Sequence, residues 1–130
     1  MKIEKRIDDY FDEIFHDVSF EPIVKAYVLN IFSKFSLSHD LSTKSITLTY
    51  FDAMQKSNFA QFQKIGDWSL WTLSMTKNIN ADVIANFGKL SYASCHHMMF
   101  KSVNLYKTLS CDYDNIVVEL QKRMKVITTK

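Results

Sequence analysis

The sequence predicts an all-α fold, a single compact bundle of about six helices in one domain over residues 1–130, and three observations carry that expectation. The chain holds only 2 glycines and 1 proline, whereas β-rich folds need many tight turns built on Gly, Asn-Gly or Pro. Apolar residues recur at steps of three and four along most of its length, the period of an amphipathic helix. Hydrophobic residues make up 47% of the chain, with 10 Phe, 6 Tyr and 2 Trp, enough large side chains to fill the core of one domain.

The first helix is expected over about residues 2–17, where Ile3, Ile7, Tyr10, Phe11, Ile14 and Phe15 form one stripe and Asp8, Asp12 and His16 the wet side. Ser19 is a candidate cap for the next helix, and Glu21-Pro22 suits a first turn, where a missing N–H costs nothing. Ile23, Val24, Tyr27, Val28, Ile31, Phe32 and Phe35 then continue to about Ser36, a broad apolar face that predicts a central helix. Ser36 to Ser42 reads as a loop. Ser45 to Tyr50 alternates as a strand would, but no partner strand exists elsewhere, and a lone strand cannot satisfy its backbone. The expectation is therefore a helix over 43–56, with Ile46, Tyr50, Ala53 and Met54 on one stripe.

After a cap or kink at Ser57-Asn58, a helix is expected over 58–76, then a short connection over 77–80 with Asn80 as N-cap. A long helix over 81–108 follows, through Val83, Ile84, Phe87, Leu90, Tyr92 and Met98 to Val103 and Tyr106, interrupted at Ser110-Cys111-Asp112. The last helix runs over 112–127 and buries Ile116, Val117, Leu120 and Met124. The short 77–80 connection makes its flanking helices antiparallel neighbours.

The most unusual stretch is Lys64-Ile65-Gly66-Asp67-Trp68-Ser69-Leu70-Trp71, which holds one of the two glycines and both tryptophans. Asp67 has apolar neighbours on both sides, and a buried carboxylate has to be paired. Folding the chain back near residue 79 sets Asp67 opposite residue 91 or 92, so Tyr92 is its expected partner, with His96 one turn beyond. A glycine inside a helix costs about 1 kcal/mol against alanine, so a packing reason is expected for each. Gly66 would admit a facing ring, and Gly88 would admit Leu70 or Trp71. Two readings follow: Gly66, Asp67, Gly88 and Tyr92 form a structural contact locking two helices, or Asp67, Tyr92 and His96 line a polar pocket for a small ligand or a proton.

Other constellations carry less. Cys95-His96-His97-Met98-Met99 resembles a metal set at first sight, but adjacent helical residues point about 100° apart, and metal pairs on helices use three- or four-residue spacing. Completing a site would take distant help from His16, Asp12 or Cys111, so no metal is expected. Cys95 is the one candidate nucleophile, with no orienting third group. No phosphate-binding glycine loop or nucleophile elbow is present. No catalytic activity and no cofactor are therefore expected. The net charge of +2 argues against a nucleic-acid partner, although the sequence starts acidic and ends basic.

Gly66-Asp67-Trp68-Ser69-Leu70-Trp71 resembles the Gly-Asp-x-Ser/Ala-Leu-Phe stretch of an uncharacterised bacterial all-helical family, in which a Gly and a Tyr four residues apart follow, similar to Gly88 and Tyr92. The likeness would cover about residues 20–125. It departs from that family at Ser74-Met75-Thr76-Lys77, where the family has a Gly-Phe-Phe-Pro turn. The resemblance implies an all-α fold and an intramolecular role for Asp67; it implies no activity.

No apolar run is long enough to span a membrane, no signal-peptide core opens the chain, and Cys95 and Cys111 read as buried thiols of a reducing compartment. The expected setting is cytoplasmic. The functional expectation is a small soluble protein–protein interaction or accessory domain, bacterial or phage-encoded, that self-associates through aromatic and Met-rich surface. The alternative is a helical bundle that binds a ligand or cofactor at Asp67, Tyr92 and His96.

Overall fold

The computed structural model describes residues 18–35, 43–75, 80–99 and 104–128. These form six helices, α1 (Pro22–Phe35), α2 (Thr43–Lys56), α3 (Phe59–Met75), α4 (Ala81–Met98), α5 (Leu105–Cys111) and α6 (Tyr113–Thr128), with no strand among the described residues. The helix expected over 2–17 lies outside the described residues. No helix among the described residues is long and apolar enough to cross a membrane.

Pro22 is the first residue of α1, as its missing N–H favours; Ser19, read as a cap, stands three residues earlier. The 43–56 stretch is helical. Ile46, Tyr50 and Ala53 face the core, whereas Met54, expected on the same stripe, is half exposed. Ser57 ends α2 with φ 48°. In this left-handed turn Asn58 N–H reaches back to the Ala53 carbonyl at 3.1 Å, the hydrogen bond that closes a helix C-terminus. Asn58 then starts α3: its Oδ1 accepts the Gln61 N–H at 3.2 Å, satisfying a donor of the first turn.

The bundle is centred on α3, which touches α1, α2, α4 and α6. Phe62, Leu73 and every residue from Ile65 to Leu70 are buried. The helix expected to be central, α1, instead lies against α3 and α5, because its face is narrower than its composition suggests: Val24, Val28, Ile31 and Phe32 are buried, and Ile23 is exposed.

The helix expected over 81–108 is two helices. Met99 takes extended backbone, φ −89° and ψ 131°, and closes α4; the chain resumes as α5 at Leu105. No glycine or proline marks this break. It lets α5 turn Tyr106 and Leu109 inward. Asn80 occupies the N-cap position of α4 without a side-chain capping bond, while its carbonyl accepts the Ile84 N–H at 3.0 Å. Asp112 separates α5 from α6, and Ile116, Val117, Leu120 and Met124 of α6 are buried.

Candidate functional site

The site is built where α3 and α4 cross. Tyr92 on α4 is fully buried, and its hydroxyl donates to Asp67 Oδ1 at 2.8 Å. Its ring lies over Gly66. A Cβ at position 66 would stand 2.5 Å from Tyr92 Cε1 and 2.7 Å from Cζ, inside any real carbon–carbon contact, so only glycine admits the ring. One turn along α3, Ser69 stands against Gly88, where a Cβ would also meet the Tyr113 hydroxyl at 2.7 Å. Gly88 therefore makes room for Ser69 and Tyr113, not for Leu70 or Trp71 as expected. The small residue had to accommodate a hydroxyl pair: Tyr113 donates to Ser69 Oγ at 2.6 Å, and Ser69 donates to the Gly66 carbonyl at 2.6 Å. The meetings of 66 with 92 and of 69 with 88 show α3 and α4 running antiparallel.

Asp67 is only 4% exposed. Its Oδ1 takes a second hydrogen bond, from the Tyr27 hydroxyl of α1 at 2.7 Å. Its Oδ2 lies 3.9 Å from the Lys34 ammonium, which is half in solvent. Burial pushes the carboxyl up to about 6, against the opposing pull of the Tyr27 and Tyr92 hydroxyls and of Lys34. Burial and the adjacent carboxylate hold both tyrosines well above the usual phenol range, so they stay neutral donors. Tyr106 completes the shell: its ring stands edge-on to Tyr27 at 5.7 Å and 6.0 Å from Tyr92, and its hydroxyl accepts from Gln63 at 2.6 Å. The result is a carboxylate wrapped in tyrosines from three helices.

His96, expected to join Asp67 and Tyr92, is not among the partners of the carboxylate. Its Nδ1 is buried without a hydrogen-bond partner among the described residues. The reason is geometric: one turn of α4 carries it about 6 Å beyond Tyr92, and Tyr27 takes the second bond to Oδ1. Tyr27, Lys34, Ser69, Tyr106 and Tyr113 join the site without having been expected there. Tyr27 had a local signal, a hydroxyl-bearing ring on the apolar face of its helix, but nothing in the sequence aims that ring at residue 67.

The other candidates separate. Cys95 is buried, with its thiol 3.9 Å from the Phe59 carbonyl, and burial pushes it up to about 12. Cys111, expected to be buried, is exposed at the end of α5. His96 and His97 stand 5.8 Å apart by ring centroid. Among the described residues no three His, Cys, Asp or Glu side chains converge on one point. Asp12 and His16 lie outside the described residues. A cleft of about 480 Å³ opens elsewhere, between the start of α1 and the α5–α6 turn, floored by Val24 and Ile116 and rimmed by Asp112 and Lys122.

A second feature faces solvent. On α2, Leu48 is 74% exposed, Phe51 53% and Met54 51%. On α4, Val83 and Leu90 are 45% and 49% exposed, and Phe87 lies between them at helical spacing. The Phe51 and Phe87 rings meet edge-on at 6.5 Å, joining the two helices into one apolar face. Set against known protein families, curated proteins and solved structures, the chain matches none.

Proposed function

We propose that this chain is a small cytoplasmic protein–protein interaction or accessory domain without catalytic activity, and that the α2–α4 face is where it docks. The observation that carries the reading is the continuity of that face. Leu48, Phe51, Met54, Val83 and Leu90 are each about half exposed or more, and the Phe51–Phe87 contact bridges them. Exposed apolar side chains scattered singly need no explanation, but a contiguous patch of several hundred Å² marks an interaction surface. The interior supports the same reading. The space at Gly66 is taken by the Tyr92 ring and that at Gly88 by Ser69 and Tyr113; Tyr92 bonds to Asp67 and Tyr113 to Ser69 across the crossing, while Ser91 Oγ and His96 Nδ1 are buried without a partner among the described residues. These features favour a lock for the bundle over a ligand or cofactor pocket at Asp67, Tyr92 and His96.

The test is site-specific photocrosslinking in the expressing cell. Leu48→benzoylphenylalanine is expected to yield a covalent adduct with a protein, and the same substitution at exposed Lys107 on α5 is not. Equal yields at the two positions, or none at position 48, would remove the reading.

A further inference from the structure

Resting on that reading, we infer that the occupant of the α2–α4 face is a second copy of this chain, paired about a two-fold axis with the Phe51–Phe87 contact near its centre. Three properties of the face point there. The first is charge. Among the described side chains, the flanks that carry Leu48, Phe51, Val83 and Leu90 also carry Thr47, Gln55 and Ser94, all uncharged. The acidic residue one turn from Leu48, Asp52, pairs with Lys56 at 3.2 Å. Among the described side chains, this face holds no unpaired charge of one sign that would select an oppositely charged partner, and none that would repel its own image. The formal net charge of +2 adds little repulsion between copies.

The second property is composition. Interfaces between different, separately folded proteins are about as polar as the rest of the surface, whereas homodimer interfaces are more apolar and lean on aromatic, Met and aliphatic side chains. Phe51, Phe87, Met54, Leu48, Val83 and Leu90 are of the second kind. The third is area. At these exposures the face presents roughly 500 Å² of apolar surface per copy, so two copies with an ordinary polar rim reach the ~1,200 Å² at which specific interfaces begin. A pair of adjacent helices is also a suitable shape: α2 and α4 of one copy against α2 and α4 of the other bury one self-complementary patch on each subunit.

The deciding experiment is the mass of the full chain by sedimentation across a wide concentration range, with Leu48→Lys and Phe51→Ser alongside. The unmodified chain is expected as a dimer. Both variants are expected as monomers with unchanged helical circular dichroism, since both positions face solvent. A chain monomeric at every concentration overturns the inference, as does a dimer that both variants leave intact. The mass of the position-48 adduct separates this inference from the reading beneath it. An adduct of two identical chains supports both. An adduct with a different protein overturns self-pairing and leaves the docking face standing, and no adduct removes both.

Discussion

Tyr27 and Asp67 stand forty residues apart in the chain, and the tyrosine hydroxyl donates to the carboxylate at 2.7 Å. With Tyr92 on the same oxygen at 2.8 Å, this bond ties α1, α3 and α4 at one atom. An acceptor shared by one buried and one half-buried hydroxyl is difficult to replace. Asp67→Ala is expected to strand the fully buried Tyr92 hydroxyl and to remove one bond of Tyr27, at a cost of about 2–4 kcal/mol, since a stranded buried donor carries a desolvation penalty. Urea denaturation measures it. A loss no larger than that of an ordinary surface substitution would show that the two bonds are not stabilising.

The same carboxyl makes stability depend on pH in an unusual direction. Its folded value is raised from 3.8 to about 6, so between those values the folded chain holds a proton that the unfolded chain has released. Stability from this group is full below about pH 4 and declines as pH rises through about 6, by on the order of 3 kcal/mol for a shift of this size. In Asp67→Asn the side-chain oxygen still accepts from both tyrosines and nothing titrates. Relative to the parent chain, the Asp67→Asn variant is expected to gain stability steadily from pH 4 to pH 7 and then level off. Denaturation midpoints of the two proteins across that range decide it, and parallel curves would contradict the raised value.

Gly66→Ala sets two effects against each other. Alanine favours a helix by about 1 kcal/mol over glycine, but its Cβ would sit 2.5 Å from the fully buried Tyr92 ring. The ring is pinned by its bond to Asp67, so the helices would have to part. A net loss of about 1–3 kcal/mol is expected, the usual cost of overpacking a core. A thermal midpoint at or above that of the parent would mean the ring can move.

Ser57 is the reverse case. Its φ of 48° is a left-handed conformation that costs a non-glycine residue about 1 kcal/mol. Ser57→Gly is therefore expected to raise stability by about 0.5–1 kcal/mol with no change in helix content. A lower melting temperature would indicate that the serine side chain contributes to the turn.

The two thiols differ enough to count. Cys111 is exposed and Cys95 is buried with its thiol pushed up to about 12, and the thiolate is the reactive form. A colorimetric thiol reagent at neutral pH is expected to titrate one group per folded chain and two in denaturant. Two fast groups in the folded state would place Cys95 in a far more accessible setting.

Which segments are helical, and that α3 and α4 lie side by side, is legible in the order of residues alone. Those properties are local: apolar spacing, the scarcity of glycine, Pro22 at a first turn and Asn58 at a cap act within a few residues. The approach of Tyr92 to Asp67 belongs with them, because a short connection sets the register of an antiparallel pair. Where non-adjacent helices meet is settled only when the bundle packs. Tyr27 reaches the same carboxylate because α1 lies against α3 and α5, and Tyr113 fills the notch at Gly88 because α6 returns to α3. The break at Met99 belongs to this second group, since extended backbone there lets α5 turn Tyr106 and Leu109 inward. Met54 and Leu90 match the helical period as well as any core residue, yet both stay about half in solvent. Periodicity reports that a helix has an apolar side; whether each flank is covered depends on how many neighbours the packed bundle supplies.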